Sequence, residues 1–190
     1  MGRVSQAQAQ ENRRRVLDTS SRLFREQGTN VSVSDLMKAV GLTHGGFYKQ
    51  FASKEALIRE ATVHAFAEDA RLREAALEHS AGRDGAQHTF IDAYLSTEHR
   101  DNPAGGCPIA GLGVDIARGH GDDETRRVFA ERVQETAAWF DTGADDGIVR
   151  FATMLGALVI ARATSGFPIS EKALTAARKA LTERGDPSAR

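Results

Sequence analysis

The chain has 190 residues, 41% hydrophobic and 27% charged, with four prolines and one cysteine. This is the composition of a globular protein with a real core, and it excludes an intrachain disulfide. The net charge of −1 is unevenly spread. Residues 1–60 hold ten Lys/Arg against six Asp/Glu, a surplus of +4, and the rest holds 15 against 20, or −5, so a polyanion partner is expected for one end only.

The opening "MGRVSQAQAQENRRR" has no apolar core and does not read as a secretory signal. The longest apolar run, Phe151 to Ala161, is about half of the ~20 residues a membrane span needs. A cytoplasmic protein is expected, and the lone Cys107 fits a reducing compartment.

Apolar spacing predicts a first helix over 8–27, with Val16, Ser20, Leu23, Phe24 and Gln27 on one face and Gly28 as its stop. A short helix is predicted over 33–40, with Ser32 and Asp35 as a capping box and Gly41 as its end. Another is predicted over 44–51, capped by Thr43, and Ser53 then caps a long helix running to about 78. After the polar "EHSAGRDGAQ" comes a helix near 86–98, with Phe90, Ile91, Tyr94 and Leu95 aligned, and then a loop, "RDNPAGG". Pro108 opens a helix over 108–118. A helix over 122–141 turns Val128, Phe129, Val133, Ala137 and Phe140 inward. The most apolar helix spans 145–164, and Ser170 caps the last, running to about Arg184. The expectation is an all-α chain of about nine helices, since no segment alternates as a strand does.

The stretch "GLTHGGFYKQF" (41–51) places Gly45 and Gly46 in the first turn of a helix, where each costs about 1 kcal/mol relative to alanine. Three helices in the first 51 residues, the last two joined by a tight turn at Gly41, have the form of a helix-turn-helix. In that motif the N-terminal residues of the second helix of the pair touch base edges in the major groove, and a glycine there lets backbone approach DNA closely. Phe47 and Phe51, four apart, would pack inward, leaving Tyr48 and Lys49 outward for phosphates. Lys54, in the first turn of the long helix, opposes the helix dipole unless a phosphate sits there.

"TNVSVSDLMKAVGLTHGGFYKQFASKEALI" resembles the DNA-binding domain of the TetR/AcrR family of transcriptional regulators. The likeness rests on the capped helix 32–40, Gly41, the Phe47–Tyr48 pair, Phe51 and "SKEAL", with Val31 a departure from a common threonine. It covers about residues 10–60. It implies a helix-turn-helix domain over 8–56 and an effector-binding and dimerisation domain over 57–190. It also implies a homodimer on a palindromic double-stranded DNA operator, usually as a repressor released by a small-molecule effector. Carried over by position, Ser32, Thr43, Tyr48, Lys49 and Lys54 would meet phosphates, and His44, Gly45 and Gly46 would face bases. Arg13 to Arg15 are further phosphate candidates, and Arg3 a minor-groove one.

The C-terminal two thirds specify less. The helix over 145–164, with Gly156, Ala157 and Ala161 permitting close approach, is expected to pair with 170–184 in an intersubunit four-helix bundle. A pocket would be lined by Phe66, Phe90, Tyr94, Leu112, Phe129, Trp139, Phe140 and Met154, and no charge pattern names its ligand. Cys107, before Pro108 at a helix N-terminus, suggests a thiol of lowered pKa and hence a thiol switch, against the plainer reading of a small packing residue. Neither cofactor nor metal is expected: the six histidines form no i, i+4 pair, and no phosphate-binding glycine loop follows a strand. The alternative functions are an effector-independent architectural nucleic-acid binder, or a small helical ligand carrier or enzyme.

Overall fold

The computed structural model describes residues 6–183. Arg3 and the expected helix end at Arg184 lie outside them. Among the described residues there are ten α-helices and no strand: α1 (Gln6–Gln27), α2 (Val33–Ala39), α3 (His44–Phe47), α4 (Lys54–Glu78), α5 (Arg83–Tyr94), α6 (Thr97–Asp101), α7 (Pro108–Ala117), α8 (Asp123–Phe140), α9 (Gly147–Ala163) and α10 (Pro168–Thr182). None is long and apolar enough to cross a membrane.

Local chemistry explains most boundaries. The hydroxyls of Ser32 and Ser53 accept from the backbone N–H groups of Asp35 and Ala56, and the carboxylates of Asp122 and Asp146 do the same for α8 and α9. Each such cap contributes about 1 kcal/mol. Gly28 (φ +82°) and Gly41 (φ +70°) take the left-handed backbone that ends α1 and α2.

Three expectations are corrected. The helix expected over 86–98 stops at Tyr94, because Ser96 turns extended and its hydroxyl accepts from His99 N–H at 3.1 Å. That starts α6, a tenth helix, within what reads as the edge of a loop. Thr43 has cap geometry, but its hydroxyl makes no cap bond; the Gly46 N–H goes to the Thr43 carbonyl at 2.9 Å instead. Ser170 does not cap α10. Pro168 opens that helix, and the buried Ser170 hydroxyl donates to the Ala161 carbonyl (2.7 Å) while accepting from Arg100 (3.1 Å).

Two hydrophobic clusters organise the fold. The first joins Val16 and Phe24 of α1, Leu36 and Met37 of α2, Phe47 and Phe51, the start of α4 (Leu57, Ile58, Ala61), and Leu112 and Ile116 of α7. The second holds Phe66, Ile91, Tyr94, Phe140, Phe151, Met154, Leu158 and Leu174, among others. Phe129 packs against both. The first cluster therefore includes a helix more than 50 residues downstream of the segment it supports, and α4 runs from one cluster into the other.

Candidate nucleic-acid interface and effector cavity

The α3 segment is carried on a buried aromatic base. Phe47 and Phe51 are buried and stacked, with ring centroids 5.6 Å apart, each worth about 2 kcal/mol of burial. Tyr48 stays 62% exposed, held edge-on between Phe47 (5.1 Å) and His44 (5.6 Å). His44 and Lys49 are exposed. Among the described residues Lys49 makes no hydrogen bond or ion pair, leaving its ammonium available.

The two glycines differ. A Cβ on Gly45 would meet no heavy atom within 4 Å, so this position opens to the outside. A Cβ on Gly46 would lie 3.6 Å from both Met37 Cε and Thr43 Oγ1. The base-facing expectation thus fits the geometry of Gly45, while Gly46 points back into the α2–α3 packing.

The basic run of α1 is largely committed. Arg13 bonds Glu60 at 2.6 Å and lies 4.6 Å over the Phe51 ring, tying α1 to α4. Arg15 donates to the Val40 carbonyl at 2.7 Å. Only the exposed Arg14, beside Glu11 at 3.4 Å, retains the freedom expected of a phosphate contact. Ser32 is exposed, but its hydroxyl also donates to Asp35 Oδ2 at 2.6 Å. Lys54 is half-buried in the first turn of α4. There the Glu55 carboxyl is held below the usual range, chiefly by the backbone N–H at this helix end and then by the Ser53 hydroxyl, so an internal acid already uses part of that field.

A cavity of about 840 Å³ lies between α1, α4, α5 and the loop before α7. Its walls include Leu72, Ala75, Ala76, Phe90, Ala93 and Tyr94, and its lining extends to Arg22, Arg25, Arg71, His99 and Cys107. Of the eight residues expected to line a pocket, Phe90 and Tyr94 do so. Phe66, Leu112, Phe140 and Met154 are buried core instead, and Phe129 and Trp139 pack on that core from its edge. Helical periodicity marks inward faces but not which of them leave a gap.

The cavity residues that sequence reasoning missed are charged. Arg25 is buried, its guanidinium donating to the Ser21 carbonyl (3.1 Å), the Gly106 carbonyl (3.1 Å) and Glu68 (2.7 Å). Glu68 also faces His64 at 3.6 Å, and His64 meets Asp18 at 2.8 Å. Arg25 thereby joins α1, α4 and the loop before α7. The signal was present: Val16, Ser20, Ser21, Phe24 and Arg25 form a buried stripe two residues wide, whose second file contains the arginine. Deeper in, Asp69 pairs with the buried Arg73, and burial pushes the Asp69 carboxyl above its ordinary value despite that pair.

The expectation for Cys107 is reversed in one respect. It does precede α7, but it is buried. Burial, then the nearby Asp69 carboxylate, push its thiol up, outweighing the backbone N–H groups of Ile109 and Ala110. Its own N–H donates to His99 Nε2 at 3.1 Å, and His99 Nδ1–H donates to the Tyr94 carbonyl at 2.7 Å. That pattern fits only neutral imidazole, and burial holds the His99 pKa below its usual value. Tyr94 is raised well above the ordinary phenol range by burial first and the Cys107 thiol next; the thiol lies beside the hydroxyl without a hydrogen bond of ordinary geometry.

Against known proteins, residues 16–61 match the family model described as bacterial regulatory proteins, tetR family. The HTH-type transcriptional regulator AcrR of Shigella flexneri is 39% identical over 61 residues, 32% of this chain and only 28% of that protein's length. A TetR-family regulator from Agrobacterium tumefaciens shares the fold at a TM-score of 0.78 with 16% identity, over 93% of this chain and 98% of its own. AibR, solved in complex with isovaleryl coenzyme A and operator DNA, superimposes at 0.66 with 15% identity, over 90% and 97%. The matched segment falls on α1 to the start of α4, so this part of the chain is similar to the DNA-binding domain of tetR-family regulators, and the solved TetR-family regulator shares the fold over nearly the whole chain.

Proposed function

We propose that this protein is a homodimeric, DNA-binding transcriptional regulator, acting in the cytoplasm as a repressor at a palindromic operator and released by a small-molecule effector. The observation that carries the reading is the exposed start of α3. Open space over Gly45 sits on a buried Phe47–Phe51 base, flanked by His44, Tyr48 and Lys49, the last unpaired among the described residues. His44 and Gly45 face bases in this scheme, and Tyr48, Lys49 and Lys54 face phosphates, with Ser32 and Thr43 beside them. The functional division is at 56/57: residues 8–56 read DNA, and 57–190 hold the partner and most of the effector cavity, to which α1 adds Arg22 and Arg25.

The dimer surface we propose is the outer face of α9 and α10. Val149, Ala152, Gly156, Val159, Ile160 and Ala163 are exposed at helical spacing, and Phe167 and Ile169 extend the patch. Ala157 and Ala161, the expected close-approach residues, are buried inside the chain instead, so Gly156 takes that role.

The effector site we propose is the 840 Å³ cavity. AibR, with the same fold, is seen with isovaleryl coenzyme A and operator DNA. Thiol modification of Cys107, the second trigger, would have to reach a buried, protonated thiol through this same cavity, so effector binding is the reading adopted. An effector that shifts the loop before α7 or α4 moves an acceptor of Arg25. Arg25 is part of α1, so the tilt of α1 and α4 sets the separation of the two reading heads. Only differential affinity for the two arrangements can drive this.

The test is selection of bound genomic fragments by the purified protein, followed by titration against random DNA. A palindrome with half-sites one turn apart (~34–36 Å) and ~10³-fold preference is expected. Equal affinity for random DNA would overturn the reading in favour of an architectural binder.

A further inference from the structure

We infer that the effector of this cavity is an amphipathic organic anion: a carboxylate or phosphate held at the mouth by Arg22 and Arg71, an apolar body along Leu72, Ala75, Ala76 and Phe90, and a neutral hydrogen-bond acceptor at the inner end for the Tyr94 hydroxyl. The inference rests on reading the cavity as the effector site.

The charges of the lining decide the first part. Arg22, Arg25 and Arg71 face Glu68 and Asp69 there. Arg25 is taken by Glu68 and Asp69 by Arg73. Arg22 and Arg71 remain; both are exposed, and among the described residues neither has a hydrogen bond or an ion pair. Two exposed, unpaired guanidiniums in the lining of one cavity suit a planar or tetrahedral oxyanion.

The inner end decides the second. Tyr94 is buried, lines the cavity, and its hydroxyl has no hydrogen-bond partner among the described residues. An orphaned buried hydroxyl is costly and calls for an acceptor. Asp69 lines the same cavity and disfavours a second anion, so the acceptor is a carbonyl, ether or hydroxyl oxygen. Between rim and floor the wall is alkyl and aromatic, which sets the apolar body.

The protein carries its own reporter. Trp139 is the sole tryptophan, and its ring sits edge-on 5.4 Å from Phe90, a cavity residue. Full-length protein is titrated with decanoate, decyl phosphate, 9-oxodecanoate, methyl 9-oxodecanoate and decylamine, following Trp139 fluorescence and, in parallel, operator affinity. Comparing decanoate with decyl phosphate distinguishes the head groups. We expect the anions to bind ~tenfold tighter than ester or amine, an advantage lost in the R22Q/R71Q double variant. We expect Tyr94→Phe to remove a ~3- to 10-fold preference for 9-oxodecanoate over decanoate. Both variants should fold, since the arginines are exposed and the tyrosine hydroxyl is unpartnered. Ester or amine binding as tightly as the acids, or an unaffected R22Q/R71Q, overturns the inference, and release of the operator by those compounds would leave the effector-site reading standing. No response of Trp139 to any probe also overturns it. Anion binding that leaves operator affinity unchanged supports the ligand class and refutes the effector role.

Discussion

Gly45→Ala separates folding from DNA recognition. The new methyl would meet no heavy atom within 4 Å, so nothing among the described residues resists it, and the helical backbone there is not left-handed. Alanine in a helix gains up to about 1 kcal/mol over glycine. At the second residue of the four-residue α3 about half of that is expected. On DNA the sign reverses. A methyl that holds the backbone off the groove disturbs at least one base pair per half-site, at about 1–3 kcal/mol each. With two half-sites on a palindrome the loss is about 2–6 kcal/mol, or ~30-fold and upward in affinity. The assay is urea unfolding beside titration of the selected operator. Unchanged operator affinity would refute close backbone approach at 45, and a loss of stability beyond about 1 kcal/mol would refute the open space. Gly46→Ala is the control: its Cβ only touches Met37 and Thr43 at 3.6 Å, so its effect on DNA should be much smaller.

Gly147→Ala should destabilise the fold by about 3 kcal/mol or more in urea unfolding, because its Cβ would overlap the Ala137 carbonyl oxygen and sit 2.6 Å from Asp141 N. His99 gives a signed pH dependence: its folded pKa is below the unfolded value of about 6.5, so stability is full above that pH and falls as pH drops toward the folded pKa; His99→Gln should abolish that slope in urea midpoints measured from about pH 7.5 to about pH 5. Arg25→Lys cannot serve all three acceptors, so it should remove most of an effector coupling expected at ~5- to 150-fold, read as operator affinity with and without effector; coupling equal to that of the parent protein would contradict the junction role. Gly156→Arg, in open space on the outer face of α9, should convert dimer to monomer in light scattering while leaving helicity intact; a persistent dimer would place the interface elsewhere.

How far the chain could be read in advance depended on how far apart the interacting residues lie. The capping box at Ser32 and Asp35, the Ser53 cap, the stops at Gly28 and Gly41, and the inward Phe47–Phe51 pair all act within a few residues, and each is a local hydrogen bond or a rotation of about 100° per residue. The helix-turn-helix is assembled from such pieces, so its order, turn and inward pair could be laid out in advance, although its third helix ends at Phe47 and not at 51 as expected. Thr43 and Ser170 show the limit even at short range. Both have cap chemistry, but Thr43 lost its donor to its own carbonyl, and Ser170 was drawn to the Ala161 carbonyl and Arg100.

The sequence by itself therefore determined an all-helical chain, the family that its first third resembles, and the side chains presented outward by its third helix and the turn after it. Only the tertiary structure decided which inward faces leave a void, that Arg25 lies inside rather than in solvent, that Cys107 is shielded enough for burial to outweigh its helix N-terminus, and that Gly45 rather than Gly46 opens outward. Arg25 meets a carbonyl 81 residues away and a carboxylate 43 away. The physical reason is desolvation: it depends on every segment packed around a group, and a linear pattern records only the segment that carries it.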